Sequence, residues 1–198
     1  MKLLLASSFG VLLLLSSCAP QSDSRVSTLT ALADSIQSKQ RLLEEPSSAE
    51  TAEAASWAEA NLREFELLLG DGNVIVSKEE GRIISDVSRA RRLLKDQGSR
   101  RTSLPKSAAR ATAQLRALSQ VIASGAAQDA EGTRIDSAYI ASEMETELTI
   151  GRDVVRAFQE TQQLAERGIA IWQKTAERCD SLQLVCRSRL AKAIIEGE

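Results

Sequence analysis

The sequence predicts an all-α protein, a helical bundle of about five to six helices with a long C-terminal heptad-patterned helix. Apolar residues recur every three or four positions along most of the chain, which is the period of an amphipathic helix. Two capping boxes mark helix starts, and residues 74–76, the β-branched run, are too few to begin a sheet. Because these signals agree, we expect one helical domain over residues 26–198.

The first two predicted helices cover about residues 25–44 and 48–69. The second follows a capping box at residues 47–50 and ends at the turn cluster of residues 70–73. Each helix places its apolar residues on one face: Val26, Leu29, Leu32, Ala33, Ile36 and Leu43 in the first, and Ala58, Leu62, Phe65 and Leu69 in the second.

The third predicted helix begins after a capping box at residues 77–80 and runs to about residue 97, where Gly98 suits the position after the helix end. A fourth begins near Pro105, which is tolerated in a first helical turn, and ends before Gly125. We therefore expect a loop between these two helices.

The fifth predicted helix covers residues 133–178 and would be about 69 Å long if unbroken. Gly151 and Gly168 leave a bend or break open. Its heptad stripe is mixed in size and polarity, which favours packing against helices of the same chain over a dimeric zipper. A short sixth helix is expected at about residues 182–195. The stripe consists of Met144, Leu148, Gly151, Val155, Phe158, Gln162, Ala165, Ile169, Trp172, Ala176 and Cys179.

The N-terminal residues have the pattern of an export signal, in which Lys2 precedes an apolar run at residues 3–15 that is too short to span a bilayer. The sequence Leu-Ser-Ser-Cys at residues 15–18 resembles the lipobox of bacterial lipoprotein precursors. The resemblance implies diacylglyceryl transfer to Cys18, cleavage after residue 17 and acylation, for example with palmitate, of the new amino terminus. An ordinary signal peptide with an incidental cysteine is the alternative.

If Cys18 carries lipid, residues 18–25 form the lipidated cysteine and a tether, and the membrane becomes a partner through the anchor. Two or three acyl chains hold a protein durably where one holds it only marginally. Ala19 stands where an aspartate would resemble the inner-membrane retention signal, so we expect the cell envelope, on the outer membrane and facing the periplasm. The covalent lipid is the cofactor expected.

Cys179 and Cys186 are an even pair in a compartment that permits disulfides. On one helix they would lie about 10.5 Å apart along the axis, beyond the roughly 7 Å that a disulfide allows between Cα atoms. Residues 180–183 favour a helix stop, so we predict a bridge that joins two helices. Two reduced, half-buried thiols are the alternative. We expect no metal site, because the chain has no histidine.

Charge is segregated along the chain: residues 89–116 contain nine basic residues and one acidic residue. This block either faces acidic helices and water or binds an anionic partner such as lipid phosphate, an envelope polymer or an acidic protein. Nucleic acid is not expected in an exported protein with few aromatics. The predicted anionic-partner patch is Arg89, Arg92, Arg100, Arg101, Lys106 and Arg110, with Arg100 and Arg101 at the tip of the expected loop.

We expect no enzyme and assign no catalytic residue, because serine–histidine and cysteine–histidine pairs cannot be built without histidine. The prediction is a membrane-anchored lipoprotein that acts as a non-catalytic helical interaction or structural module, with a protein or envelope-polymer partner. A helical bundle that binds a small ligand is the alternative, followed by a cell-wall glycan hydrolase with paired carboxylates.

Overall fold

A computed structural model describes residues 23–70, 72, 74–129 and 132–196. The predicted signal peptide, Cys18 and residues 19–22 of the predicted tether lie outside the described residues. Over the part described the chain is all-helical and contains no strand, which confirms the predicted fold class. The elements are α1 (Ser24–Gln40), a 3₁₀ turn (Arg41–Leu43), α2 (Ser48–Leu69), α3 (Lys78–Leu94), α4 (Gln97–Ser124) and α5 (Ser137–Glu196).

The helices form three rods that lie side by side. Rod 1 is α1, the 3₁₀ turn and α2; rod 2 is α3 and α4; rod 3 is α5. Rod 2 runs antiparallel to rod 3, since Glu80 pairs with Arg189 and the Gln97 amide donates to the Thr161 carbonyl at 3.1 Å. Rod 1 runs parallel to rod 3, because Glu64 near the end of α2 pairs with Arg187. The result is an up-down-up three-helix bundle whose 60-residue α5 is about 90 Å long.

Two hydrophobic cores lie one after the other along α5. The N-terminal bundle consists of α1, α4 and the first half of α5, and Leu29, Leu115 and Phe158 are among its buried residues. The C-terminal bundle consists of α2, α3 and the second half of α5, with Phe65 and Val87 at its centre. A small cluster of Ala54, Leu94 and Ile169 joins them. Because α5 packs against different helices at its two ends, the two bundles are joined end to end in one elongated molecule.

Local capping accounts for several helix ends. The Ser77 hydroxyl accepts from the Glu80 backbone N–H at 3.3 Å, and the Glu80 carboxylate accepts from the Ser77 N–H at 2.7 Å, so the predicted box is complete. At α2, Ser47 accepts from the Glu50 N–H at 3.1 Å. Gly125 ends α4 with a left-handed φ of 63°, a conformation that glycine adopts without steric cost.

The predicted loop between the third and fourth helices is wrong. Helix α4 begins at Gln97, only a two-residue turn after α3, and Pro105 lies inside it. The polar sequence of residues 97–103 is typical of a loop, but the Gln97 side chain is buried and hydrogen-bonded to α5. Tertiary contact with α5 thus stabilises a helix that the local sequence does not specify.

The predicted break between the fifth and sixth helices is also wrong, and the structure has fewer helices than the six segments predicted. Helix α5 continues through residues 180–183, because Leu182 and Gln183 are buried in the C-terminal bundle. It also continues through Gly151 and Gly168. A methyl group at Gly168 would lie 2.5 Å from the Leu94 Cγ atom, so this glycine allows close helix packing.

The buried face of α5 agrees with the predicted heptad stripe at one of its two positions. Gly151, Phe158, Ala165 and Cys179 are buried as predicted. At the other position Ile169 is buried as predicted, but the other buried residues lie one place earlier in the sequence. Several of these are small or polar, so a pattern of apolar residues does not identify them. These residues are Glu147, Val154, Thr161, Gly168, Thr175 and Leu182.

Candidate functional site

A surface groove runs between residues 98–114 of α4 and residues 150–157 of α5. Its volume is about 1170 Å³, and the α4 segment that borders it is about 24 Å long. Ala111 and Val154 form part of an apolar floor, while Ile150 is 40% exposed at the edge. Small side chains line the α4 wall, where they leave the groove wide: Gly98, Ser99, Thr102, Ser103 and Ser107.

Lys106 and Arg110 are exposed on the α4 rim of this groove, one helical turn apart. Neither has a carboxylate within 4.0 Å in the part of the chain that the structure describes. Across the groove, the Asp153 carboxylate lies 3.3 Å from the Arg156 guanidinium on its own helix. The groove therefore combines an apolar floor with a cationic edge that no described carboxylate neutralises.

The structure brings only part of the predicted anionic-partner patch together. Lys106 and Arg110 share the groove, whereas Arg89 and Arg92 lie on the exposed face of α3, beyond the turn that separates α3 from α4. Arg92 donates to the Ser88 hydroxyl at 3.1 Å. Arg100 is half-buried in the first turn of α4 and does not line the groove.

The Arg101 side chain is hydrogen-bonded within the fold, so its predicted position at a loop tip is wrong. Its guanidinium donates to the Leu43 carbonyl, to the Pro46 carbonyl at 2.8 Å and to the Thr51 hydroxyl at 3.2 Å. These acceptors surround the break between α1 and α2, where backbone carbonyls have no helical partner. Partial burial lowers the pKa of Arg101. Arg101 therefore joins rod 2 to the break in rod 1.

The predicted disulfide between Cys179 and Cys186 is wrong, since both are free thiols buried in the C-terminal bundle. They lie on one continuous helix, so their separation along the axis is about 10.5 Å, too far for a bridge. The Cys179 thiol donates to the Asn61 side-chain oxygen at 3.1 Å, and the Gln183 amide donates to the same oxygen at 2.7 Å. Burial raises the pKa of Cys179 to about 12, which keeps the thiol protonated.

Glu147 is a buried carboxyl group in the N-terminal bundle, 8% exposed, and its Oε2 atom has no hydrogen-bond partner in the described structure. Burial raises its pKa, and the nearby Glu143 carboxylate adds to the shift. No role for this residue is predicted from the sequence. In the structure it lies seven residues before the buried Val154, on the same face of α5.

The groove residues on α5 were not predicted either. Ile150 and Asp153 belong to neither heptad position, so the apolar pattern gave them no role. On α4, the three- and four-residue spacing of Ser103, Lys106 and Arg110 places them on one helix side. This shared helix side can be inferred only once α4 is known to begin at residue 97, because residues 98–104 were expected to form a loop.

A second surface lies at the opposite end of the molecule from the start of α1. We call this end, where α2 turns into α3 and α5 finishes, the tip, and the end where α1 begins the base. Six of the large apolar residues that are exposed lie near the tip, with Ile75 84% exposed and Leu67 79% exposed. The other four are Leu184, Val185, Ile194 and Ile195.

Among the described residues, no group of three or more histidine, cysteine, aspartate or glutamate side chains is placed to hold a metal ion. No helix within those residues is both long and apolar enough to cross a membrane. No family model, curated protein or solved structure matches the chain.

Proposed function

We propose that this chain is an envelope lipoprotein that works as a non-catalytic helical interaction module. The lipobox-like sequence at residues 15–18 supports attachment of lipid to Cys18. Helix α1 begins at Ser24, so residues 18–23 can span at most about 20 Å. Lipid on Cys18 would therefore hold the base of the molecule close to the bilayer. In our proposal this bilayer is the outer membrane, and the protein lies on its periplasmic side.

The distance between the anchor and the groove supports a partner in the periplasmic space. Residues 98–114 of α4 lie about 15–40 Å from the base, measured along the helix axis from Ser124. The tip lies farther still, near the other end of the 60-residue α5. A molecule anchored at its base can then present the groove and the exposed apolar residues of the tip to a protein or envelope polymer.

The groove volume gives some support to a second function, binding of a small ligand. Ligand sites commonly have volumes of about 300–1,000 Å³ and enclose most of the ligand. This groove is larger and is bordered by only two helices, α4 and α5. We therefore place a macromolecular partner first and a small ligand second.

We assign this chain no catalytic residue, no nucleic-acid partner and no cofactor apart from lipid on Cys18. A glycan hydrolase uses two carboxyl groups about 5–9.5 Å apart. The residues that line the groove include a single carboxylate, Asp153. The groove therefore lacks, among its lining residues, the second carboxyl group that a hydrolase site requires.

The anchoring step is tested by radiolabelled palmitate in a bacterial host that has an outer membrane. We expect label in the wild-type chain and none in Cys18→Ser, which should also leave the membrane fraction. Cys179→Ser is the matched control, because it removes a different thiol and should retain label and membrane association. An unlabelled wild-type chain that still begins with Met1 would contradict the proposal.

A further inference from the structure

We propose that the groove between α4 and α5 binds an amphipathic α-helix of a partner protein, with acidic residues along the edge that faces Lys106 and Arg110. This inference deepens the proposed interaction function and rests on it. Three features of the groove support it: its shape, its apolar floor and the charge on one rim.

The groove is large enough for a partner helix to pack there as a fourth helix of the bundle. A helix about 10 Å across has a volume of about 1900 Å³ over the 24 Å of α4 that border the groove. The groove volume of about 1170 Å³ would hold more than half of that cylinder. The small side chains of Ser103 and Ser107 on the α4 wall permit the axial separation of 8–10 Å at which helices pack.

The apolar floor indicates a partner with an apolar stripe. Leu104, Ala157 and Ile150 expose apolar surface along the groove. Val154 and Ala111 are buried in the core beneath them. Helices that bind in grooves insert apolar residues spaced three, four and seven apart. A flexible polyanion would use the cations but would gain nothing from this floor, so we favour the helix.

The charge on the rim indicates which edge of that helix is acidic. Where the chain packs its own helices together, arginines meet carboxylates: Arg116 lies 3.6 Å from Asp34, and Arg189 lies 2.9 Å from Glu80. Lys106 and Arg110 have no such neighbour among the described residues. Glutamates three or four residues apart on a partner helix would match their one-turn spacing.

The test uses two fluorescein-labelled 18-residue peptides with the same leucine stripe, one with glutamates and the other with lysines along the flanking edge. Binding to the purified full-length chain is measured by fluorescence anisotropy. We expect the glutamate peptide to bind at least about tenfold more tightly than the lysine peptide. The double variant Lys106→Glu/Arg110→Glu should reverse that preference.

Two further variants control for folding and for nonspecific charge. Ser103→Trp should block the groove and abolish binding of the glutamate peptide while far-UV circular dichroism stays unchanged, since Ser103 is exposed. Arg152→Glu/Lys174→Glu changes two exposed cations of α5 that do not line the groove, and it should leave both affinities within about twofold.

Equal affinity for the two peptides, no saturable binding of either, or an unchanged preference in the double variant would overturn the proposal. So would binding of phosphatidylglycerol vesicles that depends on Lys106 and Arg110 when neither peptide binds, because this would assign the groove to a lipid surface. Loss of palmitate labelling would instead contradict the anchor and leave the peptide result standing, so the two failures are distinguishable.

Discussion

The two bundles of this molecule differ in how their charged side chains are paired. In the C-terminal bundle, arginines join one helix to another: Arg91 pairs with Glu59, Arg187 with Glu64, and Arg189 holds both Glu80 oxygens at 2.9 and 3.0 Å. In the N-terminal bundle, Arg116 pairs with Asp34 between α4 and α1, but Lys106 and Arg110 have no described carboxylate within 4.0 Å. The Oε2 atom of the buried Glu147 also has no hydrogen-bond partner among the described residues.

This difference indicates where binding can be expected. Charges that pair across helices contribute to the fold and are already satisfied, whereas unpaired charges beside an apolar groove are available to another molecule. A high local count of basic residues does not separate the two cases. Arg101 and Lys106 are five residues apart in one basic block, yet the first is bound to backbone carbonyls and the second is exposed.

The largest expected effect separates these two kinds of cation. Arg101→Ala should lower the free energy of unfolding by about 1.5–3 kcal/mol, because it leaves partly buried carbonyls at the break in rod 1 without a donor. Arg110→Ala should change it by no more than about 0.5 kcal/mol, since the side chain is exposed and unpaired. Urea denaturation followed by circular dichroism measures both. Equal losses would remove the distinction between structural and available cations.

A smaller effect is expected at Glu147. Glu147→Gln should raise the free energy of unfolding at pH 7 by about 1–2 kcal/mol, because it removes a buried carboxylate that lacks a complete set of partners. Burial raises the pKa of Glu147 above its usual 4.5, so ionisation destabilises the folded chain as pH rises through that raised pKa.

The advantage of Glu147→Gln should therefore shrink as pH falls and disappear below about pH 4.5, where the wild-type carboxyl is protonated in both the folded and unfolded states. Glu145→Gln is the matched control, because it makes the same substitution at an exposed neighbour on the same helix. Thermal unfolding from pH 4 to 8 measures the difference. A constant advantage across this range would exclude ionisation as the cause.

The smallest expected effect concerns an ion pair of the C-terminal bundle. Hydrogen bonds from Arg189 and from the Ser77 backbone lower the pKa of Glu80 to about 2. Its ionised form therefore stabilises the fold above the usual pKa of 4.5, and this contribution is lost as pH falls towards 2. Glu80→Gln should reduce the thermal midpoint slightly at pH 7 and remove that part of the acid sensitivity. An unchanged acid profile would show that this pair adds nothing to the fold.

Sequence reasoning succeeded where a local interaction specifies the structure. The complete capping box of Ser77 and Glu80 fixes the start of α3, and Gly125 fixes the end of α4. It failed at the groove because the relevant residues are serines, an alanine and single charges. Their importance depends on α4 and α5 packing along residues 98–114, which no periodicity of apolar residues reveals.

Local signals in the sequence specified the helical class, several helix boundaries and part of the apolar faces, because caps, turns and periodicity act over a few neighbouring residues. Packing between distant helices set the start of α4 at Gln97 and the continuation of α5 past residue 180. The Gln97 side chain is held by the Thr161 carbonyl, 64 residues away, and Leu182 is buried among residues of α2 and α3. The free energy of such burial depends on distant parts of the chain, so local preferences for a loop or a helix stop were overridden.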